Sequence, residues 1–407
     1  MRFISTLLLL IVIVQFSFAQ QIFSINGKVV DQKSEPLAGV SVYVSGSKIA
    51  TVTDNDGKYN LKLEPGNYDL LFKSIGYKSL TKKVILQNED VSVDIRLLES
   101  TTKLADVNIK SNPYRDKDLE RFKALFIGVS PNAKYCKIQN PSVLDFVRNQ
   151  KNNNLTVYTS DFLIIENNAL GYKLNCLLQS FEYDEERRRV SYKGSIYFED
   201  LAGTDKDKKR WNENRVLAYK GSSRHFFNAL FKKELEKEGF LLVKIVNQQN
   251  SKRPSDSVLK ANIARLMLKQ QQETGLINIK ENDSLTYWLN LKKMPVLLPK
   301  LNAQAVQIDT LVHKTGKNFK AITSRDNMFV VYTKADEEAG YINSFNPMVK
   351  DVLNSKNAQV SQIKVLTDQC EFSSNGILVD PQSIYFSGYW GWKNMSDNLP
   401  IDYIVPQ

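Results

Sequence analysis

The chain has 407 residues, of which 55 are Lys or Arg and 44 are Asp or Glu, so its formal net charge is +11. This length predicts two or three domains, and a hydrophobic share of 42% lets each of them build its own core. A basic surface favours anionic lipid headgroups, acidic glycans or acidic proteins as partners. Three cysteines are too few for a fold stapled by disulfides.

The first nineteen residues have the pattern of a secretory signal peptide. Arg2 supplies a positive charge, an apolar run extends from Leu7 to Val14, and small residues precede Gln20 where a signal peptidase cleaves. The run is too short to span a bilayer, so we expect cleavage after Ala19, with a retained anchor as the alternative. No cysteine follows the run to carry a lipid, and no other stretch approaches the ~20 apolar residues of a spanning helix. We therefore expect an exported protein without a transmembrane span, located in the periplasm, associated with the outer membrane, or secreted. Nucleic acid is a poor candidate partner there.

Residues 26–98 have the pattern of a compact all-β unit. Val40, Val42 and Val44 alternate with polar residues, and the same alternation returns from Val91 to Leu97. An alternation of period two places the apolar side chains on one face of a sheet. Three turn sequences separate the strands, at residues 34–36, 54–57 and 64–67. Short strands at this spacing predict an antiparallel β-sandwich.

This unit resembles the carboxypeptidase-regulatory-like repeat. The resemblance lies in five motifs that occur in order: residues 27–31 (Gly-Lys-Val-Val-Asp), 36–40 (Pro-Leu-Ala-Gly-Val), 53–59 (Thr-Asp-Asn-Asp-Gly-Lys-Tyr), 65–68 (Pro-Gly-Asn-Tyr) and 75–77 (Ile-Gly-Tyr). It implies a transthyretin-like sandwich of seven strands, which is common at the N-termini of exported envelope proteins of Bacteroidetes. In that family the module is noncatalytic and serves many hosts, so it predicts a fold more than a function.

Taken together, these sequence features predict a signal peptide at 1–19, a β-sandwich at 20–98, a linker at 99–118 and an α+β domain at 119–407. The linker contains one candidate final strand, Val107 to Ile109. In the α+β domain we predict three helices, at Lys117–Phe126, Ser222–Gly239 and Asp256–Thr274. We predict strands at Leu155–Tyr158, Tyr172–Leu178, Val190–Phe198, Phe240–Val246, Phe329–Tyr332 and Ile384–Phe386.

The α+β domain also resembles a set of Bacteroidetes proteins that append such a domain to the regulatory-like sandwich. The matching segments are residues 132–141, 165–172 and 211–221. This second resemblance implies a shared architecture and no activity, so the function of the domain at 119–407 stays open.

The sequence argues against a metal or nucleophile site. A carboxypeptidase-type zinc site uses two His and one Glu, but the chain has only His225 and His313, and neither begins a His-x-x-Glu motif. We expect His225 to form hydrogen bonds near the start of its helix and His313 to lie on a surface loop. The acidic run at 54–57 lacks the outer ligands of a calcium loop and is predicted to be a hairpin turn. There is no Gly-x-Ser-x-Gly elbow and no P-loop, so we expect no cofactor and no metal. A carboxylate pair for glycoside cleavage would be invisible in sequence.

The remaining polar residues give structural expectations. Cys136, Cys176 and Cys370 allow at most one disulfide within the chain, and we expect buried thiols that act as small hydrophobes rather than a redox pair. The basic runs at 187–189 and 206–210 have acidic neighbours and are interpreted as solvated loops.

One aromatic cluster is the candidate binding site. Tyr385, Phe386, Tyr389, Trp390 and Trp392 lie close together near the end of the sequence. Of these, Tyr389, Trp390 and Trp392 could stack on sugar rings or on an apolar partner surface. The alternative, which we favour, is that these side chains pack the C-terminal domain.

These patterns predict a noncatalytic envelope protein that uses its sandwich as a docking or spacer module for a protein or glycan partner. Two alternatives remain. One is a glycan hydrolase with a carboxylate pair in the C-terminal domain. The other is an accessory component of an outer-membrane receptor system, since the same sandwich precedes such receptors.

Overall fold

The computed structural model describes residues 22–100, 114–149, 153–275, 283–302, 306–341 and 358–406. The fold is mostly β-structure in several sheets, with some helices. The predicted signal peptide and the candidate strand Val107–Ile109 lie outside the described residues.

The N-terminal unit consists of two four-stranded sheets that share one apolar core. One sheet has the order β4-β1-β7, with β8 also paired to β1, and the other has the order β3-β2-β5-β6. Val42 and Val44 are fully buried between the sheets, as the alternation predicts. The structure therefore has eight strands where the resemblance implies seven, because the final segment pairs with β1 in two short pieces. The strands are β1 (Phe23–Val30), β2 (Ser41–Val44), β3 (Ala50–Val52), β4 (Lys58–Leu63), β5 (Gly66–Lys73), β6 (Leu80–Leu86), β7 (Val91–Ser92) and β8 (Ile95–Arg96).

The acidic run at 54–57 is a turn, but it is not a hairpin. The Asp54 carboxylate accepts hydrogen bonds from the backbone N–H groups of Asp56 and Lys58, at 3.0 and 2.8 Å. Gly57 has φ 75°, and a Cβ there would lie 2.5 Å from the Val29 carbonyl oxygen. Because β3 and β4 belong to different sheets, this turn crosses from one layer of the sandwich to the other.

The second unit is a six-stranded antiparallel sheet with a helix on it. Helix α1 (Arg115–Phe122) continues into a π-helical segment, Lys123–Ile127, and its Phe122 packs on Phe181 at 5.1 Å between ring centroids. The predicted linker boundary at 118 falls inside this helix, and the sandwich itself continues to Ser100, whose N–H donates to Gly76. The strands are β9 (Cys136–Ile138), β10 (Leu144–Arg148), β11 (Leu155–Thr159), β12 (Leu163–Asn167), β13 (Tyr172–Asp184) and β14 (Arg189–Asp200).

Helix α2 (Asp205–Tyr219) follows the second sheet and corrects the interpretation of residues 206–210 as a loop. Thr204 and Asp207 form a capping box at its start. Trp211 is its buried residue, and it inserts against Gly171 and Gly203. Its other apolar residues lie together in the last turn, at 216–219, so the helix has no apolar stripe that would predict it.

The third unit has its own core and contains two sheets. One sheet has the order β16-β15-β19-β20-β22 and the other β17-β18-β21. The predicted single domain at 119–407 therefore contains three separate apolar clusters among its described residues, one in the second unit and two in the third. The strands are β15 (Phe240–Gln249), β16 (Leu297–Asn302), β17 (Val312–Lys314), β18 (Phe319–Ile322), β19 (Met328–Asp336), β20 (Ala358–Val365), β21 (Cys370–Ser373) and β22 (Ile384–Gly388). All six strands predicted beyond the sandwich are present, each longer than predicted.

The helix predicted at Ser222–Gly239 is two helices. Helix α3 (Ser223–Lys232) ends where Lys233 adopts a left-handed conformation with φ 60°, and α4 (Leu235–Glu238) ends at Gly239. The Ser222 side chain caps α3, as expected from the sequence.

A helical arm, described at residues 251–275 and 283–296, leaves the third unit between β15 and β16. Helix α5 (Asp256–Thr274) has the predicted bounds and packs against α6 (Asp283–Lys293). Two short helices complete the unit, α7 (Ile308–Leu311) and α8 (Tyr389–Trp392).

Candidate functional site

The aromatic cluster lies at the junction of β22 and α8. Gly388 makes the sharp turn between them with φ 72°, and a Cβ there would approach the Val360 carbonyl oxygen to 2.8 Å. Trp390 is 8% exposed, packs between Phe226 and Phe386, and donates its indole N–H to the Gly221 carbonyl at 2.7 Å. Trp390 is therefore part of the core and offers no face to a ligand.

Tyr389 and Trp392 have different surroundings. Tyr389 is 3% exposed, and burial raises the pKa of its phenol above the ordinary value. Trp392 is half-buried and contacts Tyr341, with 5.5 Å between ring centroids. The Lys393 ammonium lies 5.6 Å from the Trp392 ring centroid. Of the three predicted binding residues, only Trp392 presents part of its ring to solvent, so a binding role stays a prediction for that side chain.

A buried polar network lies beside these rings. Asp397 is 8% exposed, and its carboxylate accepts hydrogen bonds from Ser130 Oγ at 2.5 Å and Asn132 Nδ2 at 2.8 Å. Lys393 Nζ donates to Asp397 at 3.2 Å and also to Glu338. Both Asp397 oxygens are thus occupied, and the network ties the second unit to the segment that follows α8.

Glu338 and Asp397 form the carboxylate pair that the sequence could not reveal. Both carboxylates accept hydrogen bonds from the Lys393 ammonium, so they are close neighbours, as the two carboxylates of a glycosidase are. However, Asp397 is enclosed by its donors, and only Glu338 is partly exposed. In this structure both carboxylates are engaged with Lys393.

The two histidines have different roles. His225 is buried, its Nδ1 accepts from the Gly221 N–H at 3.1 Å, and its Nε2 lies 3.1 Å from Glu238. Because Nδ1 accepts, Nε2 carries the proton and donates to Glu238. Burial lowers the pKa of His225 despite the nearby Glu238 carboxylate. With both nitrogens engaged, His225 anchors the start of α3 as predicted.

His313 lies on β17 rather than on a loop. It is exposed, and its Nε2 lies 3.2 Å from Gln369 Oε1. Within the described ranges, no group of three or more His, Cys, Asp or Glu side chains could hold a metal ion.

The three cysteines are free thiols. Cys176 and Cys370 are buried, and Cys136 is half-buried. Burial raises the pKa of Cys136 and of Cys176 to about 12, and that of Cys370 to about 11. All three therefore stay protonated near neutral pH, as buried hydrophobic thiols do.

The sandwich is fixed to the second unit through the outer face of its β2-β5 sheet. Tyr43 packs on Phe162 and Tyr197, with ring centroids 5.7 and 4.7 Å away. Lys73 pairs with Asp161 at 2.7 Å. The loop between β2 and β3 adds backbone bonds to β14, from the Gly46 N–H to Ile196 and from the Phe198 N–H to Ser47.

A strap, residues 400–403, joins the sandwich to the third unit. On one side, the Ile401 N–H donates to Gly46, and Asp402 accepts from the Lys48 N–H at 3.0 Å. On the other side, Arg224 on α3 donates to the carbonyls of Pro400, Ile401 and Tyr403 at 2.8, 2.7 and 3.0 Å. No motif in the sequence marks Arg224. The available signal was a cation in the first turn of a helix, where the dipole disfavours it.

The third unit has a cavity of about 360 Å³ beside α3 and β15. Its walls are mostly apolar, and the ion pair Lys233–Asp309, at 2.7 Å, lies at its edge. This volume suits a small apolar molecule, and the described lining residues include no Ser, Thr, Cys or His. The cavity residues are Leu230, Lys233, Leu235, Glu236, Phe240, Leu241, Leu242, Val243, Val306, Ile308 and Asp309.

Comparison with known proteins places a family resemblance in the sandwich. Residues 25–109 match the model of the CarboxypepD_reg-like domain family, a fifth of the chain. The TonB-dependent receptor P39 of Formosa agariphila is 34% identical over 83 residues, which is 20% of this chain and 8% of the receptor. The TonB-dependent receptor SusC of Bacteroides thetaiotaomicron is 32% identical over 97 residues, covering 24% of this chain and 10% of the receptor. The match thus spans about a tenth of the length of these curated relatives.

A streptococcal ancillary pilin aligns with 20% of this chain and 34% of its own, at 17% identity and a TM-score of 0.18. At that score the likeness supports no statement about fold. None of the helices in the described ranges is long and apolar enough to cross a membrane.

Proposed function

We propose that this chain is a noncatalytic protein of the cell envelope that works with a receptor-type system. Its transthyretin-like sandwich is the docking module for a protein or glycan partner. The match to the CarboxypepD_reg-like family and the similarity to two TonB-dependent receptors support this proposal. We further propose export by the signal peptide at 1–19 and a location in the periplasm or at the outer membrane.

The observation that carries the proposal is the way the sandwich is mounted. One sheet packs its outer face on the second unit, while the outer face of the β4-β1-β7 sheet is exposed and polar. Lys58, Asn60 and Lys62 of β4 all point outward there. The mount presents this face, so a partner can bind there without displacing the contacts that Tyr43 and Lys73 make with the second unit.

The test is site-specific crosslinking of the full chain in its own envelope. A photo-crosslinking residue at Asn60, on the exposed face, is expected to capture one defined partner. The same residue at Thr81, which contacts Ser195 on the docked side, is expected to capture none. Lys58→Glu combined with Lys62→Glu should abolish the adduct, whereas Lys206→Glu with Lys208→Glu on α2 should not. Equal adducts from both faces would contradict the proposal, as would turnover of peptide or glycan by the purified chain.

Glycan hydrolysis is the second candidate, because Glu338 and Asp397 lie together beside Trp392. In this case Glu338→Gln should abolish release of reducing sugar while leaving the fold intact. The enclosure of Asp397 by Ser130, Asn132 and Lys393 argues against it, and a parent chain inactive on polysaccharide would exclude it.

A further inference from the structure

The helical arm forms a separate projection from the third unit. Strand β15 pairs with β19 only from Phe240 to Lys244, and beyond Lys244 it pairs with β16 alone as a two-stranded ribbon. The two helices at the end of this ribbon bury Leu259, Ile263 and Leu285. None of the four apolar clusters found among the described residues includes a residue of the arm. The arm therefore has its own small interior and leaves its outer surface available.

That outer surface carries several exposed apolar side chains. Leu268 and Tyr287 are each 60% exposed, and Val258 is 44% exposed. The strand that leads back from the arm adds exposed Leu297 and Leu298. Single exposed apolar residues are ordinary, but several on one small projection indicate a surface that binds something.

The same projection is basic. The described residues between 252 and 294 include seven basic and three acidic side chains, a net charge of +4. Asp256 is paired with Arg253 at 2.6 Å, and Glu273 with Lys269 at 3.7 Å. Among the described residues, Lys292 and Lys293 have no ion pair. The basic residues are Lys252, Arg253, Lys260, Arg265, Lys269, Lys292 and Lys293, and the acidic ones are Asp256, Glu273 and Asp283.

We propose that the arm binds the surface of an anionic lipid bilayer. Its leucines and Tyr287 enter the boundary between headgroups and acyl chains, and the lysines extend their stems along the apolar surface to reach the phosphates. A second copy of the chain is a poor occupant, because two arms of charge +4 repel each other. This role is separate from the proposed docking face on β4.

Vesicle sedimentation of the full chain tests the proposal. We expect binding to phosphatidylcholine vesicles that contain phosphatidylglycerol, no binding to phosphatidylcholine alone, and weaker binding as salt rises. Each lysine near an anionic surface contributes about a fivefold factor, so Lys292→Gln with Lys293→Gln should weaken partitioning about 30-fold. Leu268→Ser should weaken it roughly tenfold.

Leu217→Ser is the matched control, since Leu217 is 69% exposed on the unrelated helix α2. It should bind vesicles as the parent does, and circular dichroism should show all variants folded. The proposal is overturned if the parent does not bind vesicles that contain phosphatidylglycerol, if it binds both vesicle types equally, or if the arm variants bind as strongly as the parent. If the parent does not bind vesicles and light scattering shows a dimer that Leu268→Ser abolishes, the surface binds a second copy of the chain instead.

Discussion

Replacing Arg224 by methionine removes the clamp on the strap. The guanidinium makes three hydrogen bonds of 2.7 to 3.0 Å to strap carbonyls and a fourth, at 3.3 Å, to Asn375. A hydrogen bond to a charged group contributes about 1.5–3 kcal/mol. The cost of burying the charged guanidinium offsets part of the stabilisation from these hydrogen bonds, and the same desolvation lowers the pKa of Arg224. We therefore expect Arg224→Met to cost about 3 kcal/mol of local stability.

Hydrogen exchange measures this loss where it occurs. A cost of about 3 kcal/mol raises the open population of the strap more than 100-fold, so the amides of Ile401 and Lys48, which are bonded across the strap, should exchange faster by that factor. Amides in the core of the sandwich, such as that of Val42, should keep their protection. Arg210→Met is the control, because Arg210 makes only an exposed ion pair with Asp207. If Arg224→Met and Arg210→Met give the same exchange at Ile401, the strap is not held by Arg224 and the reasoning fails.

Three further predictions concern buried groups. Trp390→Ala should lower the free energy of unfolding by about 3–5 kcal/mol in urea titrations. Trp392→Ala should lower it by less, because Trp392 is only half-buried. The folded-state pKa of His225 is below its ordinary 6.5, so its contribution to stability is present above about pH 6.5 and is lost as the pH falls. Melts of the parent at pH 7.5 and 5.5 should therefore differ more than those of His225→Gln, and equal differences would contradict this. Ellman's reagent should find three thiols per chain in urea but react slowly with the native protein, since the pKa of Cys176 is raised to about 12. Rapid native labelling would show that these thiols are accessible.

Local patterns predicted the elements whose sequence and burial agree. Helix α5 has the predicted bounds because Ser255 caps its start and Gly275, with φ 72°, ends it. The valines of β2 alternate and are buried as expected. In both elements the conformation and burial of each residue follow from the residues next to it in the sequence, so local patterns are enough to predict them.

Helix α2 shows where such patterns fail. It buries Trp211 against two glycines, and its other apolar residues are confined to its last turn, so hydrophobic periodicity gives no signal. The capping box of Thr204 and Asp207 was the one local sign of a helix there. At Lys233 the helical pattern continues where the structure breaks. Nothing in the sequence from Ser222 to Gly239 marks the residue that adopts the left-handed conformation.

The candidate site depended on contacts between distant residues. The sequence indicated the aromatic cluster but not which ring is buried, because Trp390 is enclosed by Phe226, far away in the sequence. Asp397 likewise meets Ser130 across 267 positions. No spacing rule reports such a pair, so the network around Lys393 was visible only in the fold.

The strap also sets the order in which the molecule can be completed during synthesis. Lys48 and Asp402 meet across 354 positions, so the ribosome needs about 20–70 s between making the two, at 5–20 residues per second. During that interval the sandwich can fold, but Ile401 of the strap, which packs against its core, has not been made. The outer face of the sandwich is covered sooner, once Phe162 and Tyr197 have been made and pack on Tyr43. Until then a nascent chain with this exposed face is a substrate for chaperones and for aggregation. The sequence position of the second unit therefore determines how long the first domain needs protection.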